Sequence, residues 1–452
     1  MTKQVHLYNT WKLNNRKGLM VHGSVRYLND GRNGGQTHII REVPQEEQNA
    51  YKTEILNNLT EGVFKIGNVW PSGHVALAFL GSVVSHDMNS HYGLTGYDAK
   101  EDRSYANLVL TVDLDDRSRH VLNTGISYFR DYFREKLENR EMERTESVPG
   151  VFAEYTLKPS EKLTLMTGIR TDSHNFFGTF VTPRAHFRYQ PVPGYTIRFS
   201  AGKGFRTANV LAENNYLLSG ARKLDFDEAV REEAWNYGAS LISGHTVWGN
   251  DLQISAEFYR TVFQQHLMVD KETSAETILL KQSDEKSFAN SYQVDLRYRM
   301  FRNLDLTMAY RYNDVRETIG GKLVEKLYTS RYKGLLSLNY TTRLKKWMFD
   351  YTVQFNGGGR LPDLKRITAG NVTESLPLEF PSYTVMNAQV TRYFRYWNFY
   401  AGSENLTGFM QDHPVLGAGN PFGKGFDATN IWGPVMGRRI YAGVRFTLNY
   451  NN

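Results

Sequence analysis

The chain contains no cysteine, which excludes a disulfide framework and zinc–thiolate sites. It also lacks any apolar run of about eighteen residues, so no transmembrane helix is expected. The net charge of +7 is modest and not gathered on one element, so a nucleic-acid-binding surface is not expected. The segment Met1–Leu7 lacks the apolar core and cleavage site of a secretory signal. Either the protein stays inside the cell, or the beginning of a longer protein is missing.

What the chain has instead is strict alternation of apolar and polar residues in paired runs, clearest in Tyr292–Met300 and Leu304–Tyr312. Successive side chains of a strand point to opposite faces, so one face of this pair is apolar and the other is ionic. Segment Trp347–Asn356 repeats the pattern. In a soluble sandwich the apolar face would cover a core, whereas in a membrane barrel it would contact lipid around a wet lumen.

Connection lengths favour the barrel. A count of period-two segments gives about nineteen strands, from Val5–Leu13 to Ile440–Tyr450. Short turns follow the odd strands and long polar loops follow most even ones, as in outer-membrane barrels. A propeller would repeat every forty residues or so, and no such repeat is found. The fold class predicted is therefore all-β, an antiparallel transmembrane β-barrel. The predicted long loops are Asn29–Asn49, Asp87–Arg103, Phe205–Glu232, Gln264–Glu285, Gly357–Pro381 and Asn405–Arg439.

Four motifs then carry a resemblance to a known family. They are Ser200–Asn209, Glu232–Gly238, Ser403–Thr407 and Trp432–Phe446. In this order they resemble the motifs of TonB-dependent outer-membrane receptors, and the phrasing is most similar to the Bacteroidetes type. The similarity runs over almost the whole chain.

The resemblance implies a barrel of about 22 strands filled by an N-terminal plug. Nothing in the sequence resembles the plug or the TonB box. The first connection, Asn14–Gly18, is short, so the first strand runs toward the periplasm, opposite to the family's first strand. We therefore expect residues 1–452 to form one partial barrel that lacks the plug and roughly the first three strands. The family also ends in an aromatic residue for the barrel-assembly machinery, and here either Phe446 or Tyr450 would serve.

By the same resemblance the function is active transport in the outer membrane. The ligand would be a scarce, bulky small-molecule nutrient such as an iron chelate, haem or cobalamin. The TonB–ExbB–ExbD complex would supply energy through the missing plug and TonB box. Outer-membrane lipid would surround the barrel, and no cofactor is expected. Alternatives are a SusC-type glycan importer and a plugless porin-like or surface-binding barrel.

Candidate site residues follow from the side on which the loops lie. Catalysis has no support, because no strand histidine has a Ser or Asp partner that the sequence can place beside it. Aromatic loop surfaces with a few polar groups hold bulky ligands, although loop aromatics also pack loops against each other. The ligand-binding candidates are Tyr92, Tyr97, Phe176, Phe177, Arg206, Asn209, Tyr216, Phe422, Phe426 and Trp432.

A metal site is a weaker hypothesis. Methionine with imidazole suits copper, and a loop histidine can ligate haem iron. Polar loops collect histidine in any case, so we expect no metal ion. The residues concerned are His86, Met88, His91, Met410 and His413.

Overall fold

The computed structural model describes residues 1–15, 17–36, 50–274, 276–363 and 377–447. Within these ranges nineteen long strands form a wall, and five short strands lie in its loops. The wall strands are β1 (Thr2–Asn14), β2 (Leu19–Gly35), β3 (Lys52–Val69), β4 (Val75–Tyr92), β5 (Thr95–Asp113), β6 (His120–Leu137), β7 (Arg140–Ser160), β8 (Leu163–His174), β9 (Gly178–Tyr189), β10 (Tyr195–Ala208), β12 (Val230–Val247), β13 (Asn250–Asp270), β15 (Ser287–Phe301), β16 (Leu304–Ile319), β18 (Tyr332–Thr341), β19 (Trp347–Asn356), β22 (Tyr383–Tyr393), β23 (Trp397–Glu404) and β24 (Arg439–Phe446). The loop strands are β11 (Lys223–Phe226), β14 (Thr277–Ser283), β17 (Lys322–Glu325), β20 (Gly359–Arg360) and β21 (Glu379–Phe380).

Each wall strand pairs antiparallel with the next one along the chain, from β1–β2 to β23–β24. Strands β11, β14 and β17 join the same sheet, which brings it to 22 strands, and β20–β21 form a separate pair. The predicted all-β, antiparallel barrel wall is confirmed. Within the described residues no ladder joins β1 to β24. That the chain is a partial barrel remains a prediction.

The strand register confirms the two faces read from the sequence. In the β15–β16 ladder Tyr292 lies opposite Tyr312 and Val294 opposite Tyr310, and these four side chains are 44–51% exposed. On the other face Gln293 lies opposite Arg311, whose Nε donates to the Gln293 Oε1 at 2.7 Å. An exposed band of tyrosine and aliphatic side chains suits contact with lipid, and the polar face suits a wet lumen.

The two ends of the wall differ as predicted, with one correction. At one end the turns are short: the Asn15 Oδ1 accepts the amide hydrogens of Lys17 and Leu19, each at 2.9 Å, and Gly18 has a φ of +92°. At the other end the prediction of an irregular loop over Asp87–Arg103 is wrong. Strands β4 and β5 continue through this segment and meet in a two-residue turn, residues 93–94. Beyond the membrane, the ladder between two strands satisfies the backbone hydrogen-bonding groups of a hairpin whether its side chains are polar or apolar. The strands therefore persist there although the apolar–polar alternation of the sequence is lost.

The predicted loops that begin at Asn29, Phe205 and Gln264 are shorter than expected, because β2, β10 and β13 extend into them and short strands occupy parts of two of them. The loops predicted at Gly357–Pro381 and Asn405–Arg439 keep nearly their predicted bounds. Residues 37–49 and 364–376, and Tyr450, lie outside the described residues. No described helix is long and apolar enough to cross a membrane. The one helical segment in the described chain is a 3₁₀ stretch, Ala212–Ser219, in the loop after β10.

Candidate functional site: the extracellular loop assembly

The long-loop end of the wall is organised around one segment, Asn209–Arg222, which we call the bridging segment. It follows β10 and carries side chains that are almost fully buried, among them Val210, Leu211 and Leu217. These pack with side chains from the β4–β5 and β6–β7 hairpins and from β11, β13 and β14 into one apolar cluster. Its buried members are Met88, Tyr92, Tyr97, Met142, Ala208, Val210, Leu211, Leu217, Leu218, Phe226, Val230, Leu267, Ile278 and Leu280.

Two predicted ligand-binding aromatics, Tyr92 and Tyr97, lie inside this cluster and are almost completely buried. The Tyr97 hydroxyl donates a hydrogen bond to the Glu135 carboxylate of β6. The Ser90 hydroxyl donates to the Tyr97 carbonyl at 2.6 Å. The hydroxyls of Tyr97 and Ser90 thus have partners inside the cluster, as burial requires. In this structure the two tyrosines hold the loops together.

Two further candidates, Arg206 and Asn209, anchor the bridging segment to the wall. The Arg206 guanidinium donates to the Glu232 Oε2 at 2.6 Å and to the Glu213 Oε1 at 2.7 Å. The same Glu213 Oε1 accepts the Asn209 amide hydrogen at 2.9 Å. The Asn209 Oδ1 accepts a hydrogen bond from Arg144 of β7. Charge-assisted bonds of this kind fix the start of the segment in place.

A buried lysine from the loop after β13 contacts the second half of the bridging segment. Lys271, the first residue after β13, is 3% exposed, and its Nζ donates to the Thr429 Oγ1 at 3.1 Å. The same Nζ lies 5.2 Å from the ring centroid of Tyr216 and 5.0 Å from that of Tyr328. Burial lowers the pKa of Lys271 to about 8 and raises the pKa of both tyrosines. Three other loops therefore surround one ammonium group.

Further hydrogen bonds join the bridging segment, Lys271 and the last loop. The Arg222 guanidinium donates to the Lys271 carbonyl at 2.7 Å and to the Asp427 Oδ2 at 3.4 Å. Backbone bonds join the same segments, since the Ala428 amide donates to the Ser219 carbonyl at 3.1 Å and the Ala221 amide to that of Phe426 at 2.9 Å. The bridging segment is thus held from both ends.

A charged hollow of about 550 Å³ opens beside Glu272, between the loops after β13, β16 and β19. The Glu272 carboxylate accepts from Arg360 at 2.5 Å, and Arg331 bridges Glu325 and Glu379 at 2.9 and 2.6 Å. The Arg331 guanidinium holds the pKa of Glu379 below its usual range. The walls of the hollow therefore present carboxylates and guanidinium groups that are largely paired with each other.

Aromatic contacts join the last loop to the rest of the mouth. The rings of Phe422 and Phe426 lie 6.0 and 4.7 Å from that of Tyr51, which precedes β3. The Trp432 ring stacks on Phe380 at 5.3 Å. Loops from the first and last parts of the chain therefore meet, and the assembly spans the mouth.

The turn between β8 and β9 carries the remaining aromatic pair. The Phe177 ring packs 4.9 Å from that of His174, whose Nε2 lies 3.2 Å from the Glu146 Oε2. Phe176 projects from the turn. Together with Tyr216 and Phe422 it keeps 43–53% of its surface exposed, so these three are the candidate aromatics most open to a ligand.

The metal candidates are not gathered into a site. His86 and Met88 share one face of β4, whereas the exposed His91 lies on the other. The His86 Nε2 lies 3.2 Å from the Asn57 Oδ1, and Met88 is buried in the apolar cluster. Met410 and His413 occupy exposed positions in the last loop. Over the described ranges, no three His, Asp or Glu side chains have a geometry that could hold a metal ion.

Lys271, Arg222 and Tyr328 are not among the site residues predicted from the sequence. A usable signal was present, because the predicted polar loop Phe205–Glu232 contains apolar residues that a solvated loop has no reason to carry, and four of them fall in the bridging segment. They are Val210, Leu211, Leu217 and Leu218.

Comparison with known proteins gives the family. The profile described as "TonB dependent receptor-like, beta-barrel" matches residues 3–406. No curated protein gives a significant match to the sequence.

Solved structures agree in fold. The siderophore receptor PiuA from Acinetobacter baumannii is 13% identical with a TM-score of 0.67, over 98% of this chain and 74% of that one. The ferric-catecholate import receptor Fiu from E. coli K12 is 10% identical with a TM-score of 0.67, over 98% and 74%. The copper transporter OprC is 14% identical with a TM-score of 0.69, over 98% and 72%. At such low identity these likenesses show the fold alone.

The family model covers most of the chain, and the wall, the exposed apolar band and the sorted loops agree with it. Members of this family lie in the outer membrane, which places the barrel there. The family also implies coupling to the TonB system and a small-molecule ligand. The chain belongs to the family of TonB-dependent receptor β-barrels.

Proposed function

We propose that this barrel imports a bulky small-molecule nutrient, and that its loop assembly captures the ligand. The observation that carries the proposal is the convergence of loops from both ends of the chain into one packed layer with exposed aromatic rings. The exposed rings are those of Phe176, Tyr216 and Phe422. Aromatic surface with a few oriented polar groups is the usual composition of a site for a bulky ligand.

Iron chelates are the first ligand class to test, with haem and cobalamin next. Two of the solved structures with this fold are described as siderophore or ferric-catecholate receptors, and a third as a copper transporter. The described residues offer no three-residue His/Asp/Glu metal site, which favours an organic chelate over a bare ion. Ring surfaces bind the organic part of such a chelate, and the charged hollow at Glu272 supplies polar contacts.

Energy would come from the TonB–ExbB–ExbD complex through a plug and TonB box encoded with this barrel. Residues 1–452 would then act as the barrel part of a longer receptor, with lipid on its outer face and a C-terminal strand read by the barrel-assembly machinery. Enzymatic turnover forms no part of the proposal.

The test is uptake of radiolabelled ferric chelates, haem and cobalamin by cells that express the full gene, with and without TonB. We expect TonB-dependent uptake of one ligand. The double variant Phe176→Ala/Phe422→Ala should weaken binding of that ligand roughly tenfold or more, since each buried ring contributes about 1 kcal/mol or more.

Leu94 provides the matched control, because it is 78% exposed at the tip of the β4–β5 hairpin and is not among the candidates. Leu94→Ala should bind as the parent does. Uptake that persists without TonB, or passive swelling of liposomes by sugars, would contradict the proposal and favour a porin. TonB-dependent uptake of an oligosaccharide would favour a glycan importer.

A further inference from the structure

Three neighbouring short turns carry an excess of positive charge at the end of the wall that is periplasmic in outer-membrane barrels. They join β15 to β16, β18 to β19 and β22 to β23. The Asn303 Nδ2 of the first turn donates to the Thr341 carbonyl at 2.6 Å. The Tyr393 amide donates to the Lys346 carbonyl at 2.9 Å, so the three turns lie side by side. Together with their flanking residues, 300–303, 341–347 and 391–397, they contain no Asp or Glu and six cations, which we call the basic rim: Arg302, Arg343, Lys345, Lys346, Arg392 and Arg395.

Other short turns lack this excess of charge. In turn 114–119 the Asp115 carboxylate pairs with Arg119 at 2.8 Å, and turn 190–194 holds no charged residue. Within the described ranges, by contrast, no carboxylate lies within ion-pair distance of any cation of the basic rim. An uncompensated positive surface of this kind attracts anions.

One of the six cations, Arg392, lies on the exposed apolar face of the wall. It is opposite Trp347 in the β19–β22 ladder and opposite Phe399 in the β22–β23 ladder, and these two rings are 41 and 47% exposed. The Arg392 Cζ lies 4.7 Å from the ring centroid of Trp347 and 5.2 Å from that of Phe394. Cation–π contacts therefore hold the guanidinium in place, while its N–H donors have no hydrogen-bond acceptor in the described part of the chain.

Aromatic side chains indicate the depth of this guanidinium in the membrane. Tryptophan and tyrosine collect at the level of the lipid headgroups. Trp347, Tyr396 and Trp397 lie at the ends of their strands and are 41–47% exposed, which places Arg392 at the same level. A charged group costs little on the outer face at this level. Its planar set of N–H donors also matches two phosphate oxygens at once.

We propose that Arg392 and the basic rim bind the phosphate of an anionic phospholipid in the periplasmic leaflet. The two rings hold the guanidinium, its N–H groups donate to the phosphate oxygens, and the turn cations add longer-range attraction. Headgroups that carry an ammonium bind less well, because the other cations of the rim repel it. This site goes beyond the proposed import function and does not depend on the identity of the nutrient.

A local fluorophore tests the site, since no cysteine in residues 1–452 competes with an introduced one. Leu344, in turn 342–346, is 73% exposed, and Leu344→Cys takes a bimane label. The receptor from the full gene is reconstituted in vesicles of phosphatidylcholine and phosphatidylglycerol, with quenching bromine atoms on the chains of one lipid or the other. The ratio of the two quenching efficiencies gives the local lipid preference. We expect phosphatidylglycerol to be preferred about tenfold at position 344.

Val192 provides the matched reporter, because it is 50% exposed in the uncharged turn 190–194. Bimane at Val192→Cys should show no preference between the two lipids. Arg392→Gln should lower the preference at position 344 about fivefold. Arg302→Gln removes the same charge from the neighbouring turn and should lower it less than twofold. Intact barrel is quantified by gel mobility without heating in the same vesicles.

Equal quenching by the two lipids at position 344 of the parent would overturn the proposal, and this comparison needs no change at Arg392. A preference of the same size at position 192 would also contradict it, since the whole end of the barrel would then attract the anionic lipid. Equal losses in Arg392→Gln and Arg302→Gln would overturn the role of Arg392, because any one charge of the rim would then suffice.

Discussion

The two halves of this barrel build their extracellular sides by different means. Strands β2–β7 are 17–21 residues long, and two-residue turns at 93–94 and 138–139 connect two of their pairs. Strands β18, β19 and β22–β24 are 8–11 residues long, and loops 357–382 and 405–438 connect them. About 9–11 tilted residues span the membrane, so the first half continues well beyond it as hairpins and the second half stops near its surface.

This difference shows how each half satisfies its backbone N–H and C=O groups. In the hairpins the ladder itself satisfies the peptide groups. In the last loop single side chains do so: the Gln411 Oε1 accepts the amide hydrogens of Trp432 and Gly433, each at 2.8 Å, and its Nε2 donates to the Asn430 carbonyl at 2.8 Å. Stability is therefore spread over many bonds in one half and concentrated in a few amides in the other.

The largest effect is expected at Asn405, which begins the last loop with a φ of +49°. Its Nδ2 donates to the Phe409 and Met436 carbonyls at 2.7 and 3.1 Å, and its Oδ1 accepts the Phe409 amide hydrogen at 3.1 Å. Asn405→Ala should destabilise the loop by about 3–4 kcal/mol, from three hydrogen bonds and the left-handed backbone. Hydrogen exchange of the loop 405–438 amides in membranes measures this loss.

Asn405→Gly separates the two causes, since glycine accepts the positive φ. It should recover about 1 kcal/mol of the loss. Exchange that rises equally in the β4–β5 hairpin would show that the loop and the hairpins unfold as one unit, and the two halves would then not differ in how they are stabilised.

An intermediate effect is expected in the hairpin half at Tyr97. Tyr97→Phe removes the hydroxyl that donates to the buried Glu135 carboxylate, which should cost about 1–3 kcal/mol. The double variant Tyr97→Phe/Glu135→Leu removes both partners and should recover most of the loss. Exchange of the β4–β5 amides is the measurement. Full stability of the single variant would mean that water reaches Glu135.

The smallest effect concerns pH and should appear only in the loop half. Lys271 has a lowered pKa of about 8 against a usual 10.5, so separated loops bind more protons and docking strengthens as pH rises from 8 toward 10. From pH 7 to 9 the gain is about tenfold. Above pH 10 it should fall, because Tyr216 and Tyr328 have raised pKa values and stay protonated only when docked.

The measurement is the exchange protection of the bridging segment, corrected for the intrinsic rate at each pH. The charged side chains of Asp427 and Arg222 also lie near the lysine, and Glu272 lies near Tyr328. Lys271→Met should abolish the rise between pH 7 and 9. A rise that survives in this variant would assign it to another group.

The sequence predicted the wall well because successive side chains of a strand lie on opposite faces, one apolar and one polar, which gives a period of two. The Tyr292–Tyr312 and Val294–Tyr310 pairs are where alternation places them. The same rule failed at Asp87–Arg103, where polar residues such as Ser90 interrupt the face that carries Met88, Tyr92 and Tyr97 into the apolar cluster, so no strict alternation remains. Lys271 was out of reach for another reason: its partners, Tyr216 and Thr429, lie 55 and 158 residues away in sequence, and no local pattern links them.

The contact between Tyr51 and Phe426 has a consequence for the order of assembly. The two rings stand 375 positions apart in the chain, so bringing them together while the strands between them are unpaired would carry a large loop-closure entropy. Contacts of such sequence separation form slowly and late. The wall must therefore be largely paired before the loops can lock, and a newly made barrel passes through an open-mouthed stage before its surface can select what enters.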